Sequence, residues 1–138
     1  MNHYHILANS PEEQVCDLAY MVLKRYSKSQ VKLLSGPRQG LVMLRMRETV
    51  ANSQFNAGEV LATEVRLELD GQFGFGMVIG DSPRRAMAIA LVDAALGRGG
   101  EVADQLRDEL AKLDYQLAKR HQHLQALVNT TRVEFERM

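Results

Sequence analysis

Phe55-Asn56-Ala57-Gly58-Glu59-Val60-Leu61-Ala62-Thr63-Glu64-Val65-Arg66-Leu67-Glu68-Leu69-Asp70-Gly71-Gln72-Phe73-Gly74-Phe75-Gly76-Met77-Val78-Ile79-Gly80 decides the fold of this chain. Val65, Leu67 and Leu69 alternate with Glu64, Arg66 and Glu68, the period of a half-buried strand. Asp70-Gly71 follows, and this pair is a strong hairpin signal because tight turns need positive φ. Phe73, Phe75, Met77 and Ile79 then alternate with Gly74, Gly76 and Val78. The two alternations do not combine freely. A two-residue turn sets Leu67 opposite Gly74 and puts the aromatics on the face of Glu64, Arg66 and Glu68. A three-residue loop puts them on the face of Val65, Leu67 and Leu69. A slip of one residue flips every side chain, so only one arrangement holds. The hydrophobic pattern favours the three-residue loop. Under the two-residue turn, the aromatic face must be buried or covered by a partner.

Upstream, Val31 to Ser35 reads as a short strand, Gly36-Pro37-Arg38-Gln39-Gly40 as a turn, and Leu41 to Glu48 as a second strand. Gln54 to Asn56 pairs briefly before Ala57-Gly58 bends the chain. Short connections between β segments favour an antiparallel sheet, here of about four strands. Residues 3–8 suggest a helical turn. Ser10-Pro11-Glu12-Glu13 marks a helix start, with Ser10 as cap, Pro11 at the first position and Glu13 closing a capping box. That helix runs from about 11 to 27, with Val15, Leu18, Ala19, Val22, Leu23 and Tyr26 on its apolar face.

Downstream, Ser82-Pro83 opens a helix that Gly97, Gly99 and Gly100 end. It is apolar almost all round, so it needs cover from the sheet and from another helix or subunit. Asp93 is its exception and requires a hydrogen-bond donor, an arginine or water. A long helix fills 101–128, with Val102, Leu106, Leu110, Leu113, Leu117, His121, Leu124 and Val128 in one stripe. Such a stripe exceeds what a small sheet covers, so part of it should dock on a partner. Val133 and Phe135 alternate in a tail that reads as an extended arm. The expected organisation is one α+β domain over 1–138: helical to 30, antiparallel sheet over 31–80, central helix over 81–97, long helix over 101–128, arm over 129–138.

With 138 residues, 46% apolar and 25% charged, the chain suits one soluble globular domain. Its 17 basic and 17 acidic side chains cancel, which argues against a sequence-independent nucleic-acid binder. Cys16 is the lone cysteine, so no internal disulfide forms, and a reducing compartment fits best. The first residues lack a signal peptide's basic and apolar regions, and no apolar run approaches a bilayer's width. A cytoplasmic protein with no membrane partner is expected.

No catalytic constellation emerges. Gly74, Gly76 and Gly80 are spaced unlike a dinucleotide fingerprint, and close packing against a helix explains them better. The helix start at Ser82, with Arg84 and Arg85, is a candidate anion site, which Asp81 opposes. Glu59 and Glu64, five apart on a strand, face opposite ways and are no carboxylate pair; Glu59 reads as a structural or interface residue. His121 and His123 do not share a helix face, so no metal site is expected, and His121 should be a packed histidine. Cys16 reads as a structural thiol.

Gly40-Leu41-Val42, Phe55-x-x-Gly58-Glu59, Thr63-x-Val65-Arg66-Leu67, Asp70-Gly71-x-x-Gly74, Gly80-Asp81, Ala90-Leu91-x-Asp93-Ala94 and Thr131-Arg132-Val133-x-Phe135-x-x-Met138 occur in an order and spacing that resembles the PhnG family, the G subunit of the bacterial carbon–phosphorus lyase system. The resemblance covers 40–96 and 131–138. It implies a cytoplasmic subunit of the lyase core complex beside the H, I and J subunits, with the L subunit assisting. It implies a complex that displaces adenine from ATP by a phosphonate, giving ribose 1-phosphonate 5-triphosphate, with ATP a substrate of the complex and no cofactor held by this chain. Phe55, Gly58, Glu59, Asp93, Leu117, Val133 and Phe135 are then interface or structural candidates, and self-association is open. A self-sufficient phosphonate or nucleotide transferase, and a small anion-binding module, are the alternatives.

Overall fold

The structure is a computed structural model that describes residues 2–47 and 54–136, with side chains over 2–43 and 58–129. The order is α1 (His3–Asn9), α2 (Glu12–Arg25), a 3₁₀ turn (Lys28–Gln30), β1 (Val31–Arg47), β2 (Gln54–Leu69), β3 (Gln72–Ile79), α3 (Pro83–Arg98) and α4 (Glu101–Glu136). The sheet is antiparallel in the order β1-β2-β3. The architecture is α+β, as expected, with three strands among the described residues rather than about four. The difference lies at Gly36–Gly40, which the sequence suggested as a turn. Here β1 runs straight through, and register shifts between Leu33 and Ser35 and between Ser35 and Arg38 absorb the irregularity. Gly36 takes φ +90 inside this bulge, and Pro37 is tolerated because β1 is an edge strand. At the other end β2 begins at Gln54, and the shift at Leu44/Arg45 makes Ala57 the extra residue.

The hairpin has the two-residue turn, not the three-residue loop. Leu69 pairs with Gln72, Leu67 with Gly74 and Val65 with Gly76. Two features decide it. Asp70 and Gly71 both have positive φ, 49 and 86, the geometry of a twist-matched tight turn. Arg98 of α3 also clamps the turn, donating to the Asp70 carbonyl at 3.0 Å and pairing with its carboxylate. The second feature is the packing of α3. A Cβ on Gly74 would run into the Ala90 carbonyl, and one on Gly76 into the Ala86 carbonyl. Gly74 and Gly76 are therefore on the buried face of β3, and the close-packing reading holds for these two; a Cβ on Gly80 would meet nothing within 4 Å, and its positive φ of 95 serves the turn into α3 instead. Phe73, Phe75, Met77 and Ile79 lie on the outer face, where Arg66 stacks 5.5 Å from the Phe75 ring.

The inner face presents Val65, Leu67, Leu69 and Val78 to α3. Ala86, Ile89, Ala90, Val92 and Ala94 of α3 are all fully buried. The second cover that this helix required comes from the chain itself: α1 adds Ile6 and Leu7, α2 adds Val15, Leu18 and Val22, and α4 adds Leu106 and Leu110. Ser10 does not cap α2 as expected. Its hydroxyl donates to the Ile6 carbonyl at 2.6 Å and its N–H to the same oxygen at 3.0 Å, closing α1 instead. The cap position of α2 is Pro11, which makes no side-chain cap.

At 36 residues, α4 is about 54 Å long. It continues to Glu136, so the segment expected as an extended arm is helical as far as the described residues reach. No glycine or proline interrupts 101–136, and two alternating apolar residues are too short a signal to oppose helix propagation. Among the described side chains of α4, those of the first half dock. Leu113 is buried and Leu117 half-buried, whereas Tyr115, Leu124, Leu127 and Val128 are exposed.

Candidate functional site

The principal polar cluster is built around Asp93, the only acid of α3. Its Oδ1 accepts from His3 Nε2 at 2.8 Å, and its Oδ2 accepts from the Phe75 backbone N–H at 2.9 Å. The Tyr4 hydroxyl donates to the same carboxylate. The sequence requirement for a donor at Asp93 is thus met three times. Burial alone would raise the Asp93 pKa, but the hydrogen bonds from His3, Phe75 and Tyr4 outweigh it and hold the carboxyl below its ordinary value. An ionised Asp93 accepts only, so His3 donates from Nε2 and leaves Nδ1 for another partner. Burial first, then the bond to Asp93, pushes the Tyr4 phenol up to about 12. The cluster also meets the free side of β3, since the Phe75 N–H points away from β2 and is satisfied by a side chain rather than by another strand.

Beside it lies a cavity of about 570 Å³ lined by His3, Gln72, Phe73, Asp93, Leu96 and Arg107, among others. Its size falls within the range of small-molecule sites. Arg107 is tied at 3.2 Å to Asp104 on its own helix. His3 and Tyr4 did not stand out in the sequence. The signal that could have found them was the lone carboxylate on an apolar helix, because a partner had to come from somewhere in the chain.

The cluster makes a pH prediction. Because the folded Asp93 pKa is lowered, its contribution to stability is present above the unfolded value, about 3.9, and is lost as pH falls through the lower folded value. The stability gap between the native chain and Asp93→Asn should therefore narrow below about pH 4. Tyr4 behaves oppositely. Its raised pKa means that one tyrosine should ionise near 12, and Asp93→Asn should bring it down. Tyrosinate absorbance during titration reads this directly. Four tyrosines titrating together in the native chain would refute it.

The other candidates fall elsewhere. Ser82, Arg84 and Arg85 do not converge on an open anion site. Ser82 Oγ donates to Glu12 at 3.2 Å, Arg84 hydrogen-bonds Tyr20, and Arg85 Nη1 donates to the Leu7 and Ser10 carbonyls at 2.9 and 2.6 Å. An anion there would have to displace these partners and sit near the Glu12 carboxylate. Gly58, with φ +144, and Glu59 are exposed on β2, Glu59 opposite Met43. Leu117 lines a groove of about 510 Å³ with His5, Asn9, Ala118, His121 and Leu124, where α4 leaves the body. His121 is exposed there, not packed. Among the described residues the stripe has no facing layer beyond Leu117, so the period that placed the histidine on the apolar face did not bury it. Cys16 is buried and its thiol is pushed up, chiefly by burial, consistent with a structural role. The side chains of Phe55, Val133 and Phe135 lie outside the described residues. Among the described residues, no group of three or more His, Cys, Asp or Glu is placed to hold a metal ion.

What remains is a small folded body with much uncovered apolar surface. Leu41, Met43 and Leu61 are exposed on the β1–β2 ribbon, Phe73, Met77 and Ile79 on the outer sheet face, and Leu124 and Val128 on distal α4. Large apolar patches on soluble proteins mark interaction sites. Among known families, the model of "Phosphonate metabolism protein PhnG" matches residues 2–138, the length of the chain. The chain belongs to the PhnG family. It is therefore a phosphonate metabolism protein, and the match extends over the 100–128 segment that carried little of the motif resemblance. No helix among the described residues is long and apolar enough to cross a membrane.

Proposed function

We propose that this PhnG-family chain is an accessory, non-catalytic subunit of the cytoplasmic carbon–phosphorus lyase core complex. It docks beside the H, I and J subunits, with the L subunit assisting. In this role it supports synthesis of α-D-ribose 1-methylphosphonate 5-triphosphate from ATP and methylphosphonate. The observation that carries the reading is the uncovered apolar surface in a chain where Arg85, Arg98 and Asp93 are spent on its own fold. Arg85 closes α1, Arg98 clamps the hairpin turn, and Asp93 ties α1 to β3.

The test has two arms. The purified chain alone should not consume ATP in the presence of methylphosphonate, and the complex prepared without it should be inactive or fall apart. In the second arm, Leu124→Glu should lose copurification with the other subunits while its circular dichroism is unchanged. Truncating an anchor at the centre of an interface typically costs about 2 kcal/mol or more of association. Glu59→Ala and Arg85→Ala, assayed in assembled complexes, should keep turnover within a few-fold. Loss of a group that takes part in chemistry costs a factor of ~10² or more. Abolished turnover in a complex still whole by gel filtration would overturn the accessory role for that residue. Turnover by the isolated chain would favour a self-sufficient transferase.

A further inference from the structure

β1 is an edge strand, and its far end has little support. β3 stops at Ile79, opposite Ala62, so Leu41 to Arg47 of β1 pairs with β2 in a ribbon that, among the described residues, has no third strand beside Gly58–Leu61. A two-stranded ribbon is marginal in water by itself. This one also leaves Leu41, Met43 and Leu61 exposed. The sequence alternates Val42, Leu44 and Met46 with Met43, Arg45 and Arg47, so a strand laid alongside meets an apolar row at one set of positions and a methionine followed by two arginines at the other.

The charge on β1 is one-sided. It carries Lys32, Arg38, Arg45 and Arg47 and no acidic residue, in a chain whose 17 basic and 17 acidic side chains cancel. The two basic residues nearer the helices have acids across the ladder. Lys32 stands opposite Glu68, and Arg38 opposite Glu64, with an ion pair at 3.0 Å. The two at the far end stand opposite amides, Arg45 with Asn56 and Arg47 with Gln54.

We propose that the free edge of β1 from Gly40 to Arg47 accepts an extended strand of a partner polypeptide in which apolar residues alternate with Asp or Glu. Main-chain hydrogen bonds supply the attachment, and the alternation supplies the selectivity. The added strand turns the ribbon into a three-stranded unit and aligns its carboxylates with the ladder positions of Arg45 and Arg47. An apolar row and a net charge of zero favour a polypeptide over a nucleic acid. The inference rests on the subunit reading for the partner's existence, but its test does not need the complex.

The full chain is titrated with an eight-residue peptide of alternating valine and glutamate, its valine–lysine counterpart, and a backbone N-methylated form of the first. Amide hydrogen exchange followed by NMR locates the binding. The glutamate peptide should protect amides within 40–47 and bind about tenfold more tightly than the lysine peptide, since opposed like charges are unfavourable across a ladder. The N-methylated peptide, which cannot donate to the edge, should lose binding. Arg45→Glu with Arg47→Glu should reverse the preference while leaving the circular dichroism unchanged. Equal binding of the lysine peptide, survival of binding on N-methylation, or protection mapped to β3 or α4 would overturn the proposal. So would tighter binding of an oligothymidylate at the same edge. Failure here with copurification intact removes the strand-addition mode and leaves the accessory-subunit reading standing.

Discussion

Gly76→Val is expected to destabilise the chain by more than about 3 kcal/mol and to lower its melting temperature by roughly 10 °C or more. The first added atom, a Cβ, would collide with the Ala86 carbonyl and lie 2.7 Å from the Ala90 N–H nitrogen. Both obstacles are backbone, so no side chain can swing aside. The helix must lift off the sheet, and with it the contacts of the fully buried Ala86, Ile89 and Ala90. Forcing extra volume into a well-packed core typically costs about 1–3 kcal/mol, and more where the backbone has to move. Gly74→Val should behave alike, because its Cβ would meet the Ala90 carbonyl and stand 2.6 Å from the Ala94 Cβ. Ile79→Val is the control. Ile79 is 68% exposed, and substitutions at such positions usually stay within about 0.5 kcal/mol. Thermal melts followed at 222 nm separate the two cases. A Gly76→Val chain melting within a few degrees of the native one would contradict the hairpin register itself, since a one-residue slip would turn Gly76 to the outer face.

Leu106→Ala should cost about 2–5 kcal/mol, whereas Leu124→Ala in the isolated chain should cost almost nothing. Both residues are leucines of the same stripe on the same helix. Leu106 is fully buried against the other helices, and its truncation leaves a cavity that the core fills only in part. Leu124 is 53% exposed, and alanine is slightly the better helix former there. Chemical denaturation of the two variants measures the difference. Equal losses would mean that distal α4 folds back on the body.

These two pairs also mark what the sequence made legible. Helical periodicity located α2, α3 and the start of α4, because each has an apolar face that something must cover. The apolar girth of α3 correctly required two covering layers, and the lone Asp93 correctly required a donor. The misreadings share a cause. In the hairpin, Phe73, Phe75 and Met77 were weighed as the residues to bury, when the absence of side chains at Gly74 and Gly76 was the stronger signal, because it lets a helix of small residues approach. At Gly36-Pro37 the local turn chemistry was real, but long-range pairing with β2 absorbed it as a bulge. At Ser10 the same hydroxyl could serve either of two helices, and short-range pattern does not rank them. Arg84 and Arg85 looked available to an anion because sequence does not display which backbone carbonyls come near. The distal stripe of α4 gave the right period but not its partner, since periodicity reports a face and not what lies against it.

The uninterrupted course of α4 has a mechanical consequence. Beyond Leu113, the last buried leucine, 23 residues remain to Glu136, a stiff rod of roughly 35 Å with no glycine or proline to act as a joint. Its seat is a few side chains, Leu106, Leu110 and Leu113, resting on α1, α2 and α3. A tilt of about 5° at that seat would sweep the far end through roughly 3 Å, the breadth of a side-chain contact. Repacking in the core, even at constant stability, is thereby amplified into displacement of a remote tip, and whatever grips that tip feels the state of the body through the leverage of a single helix.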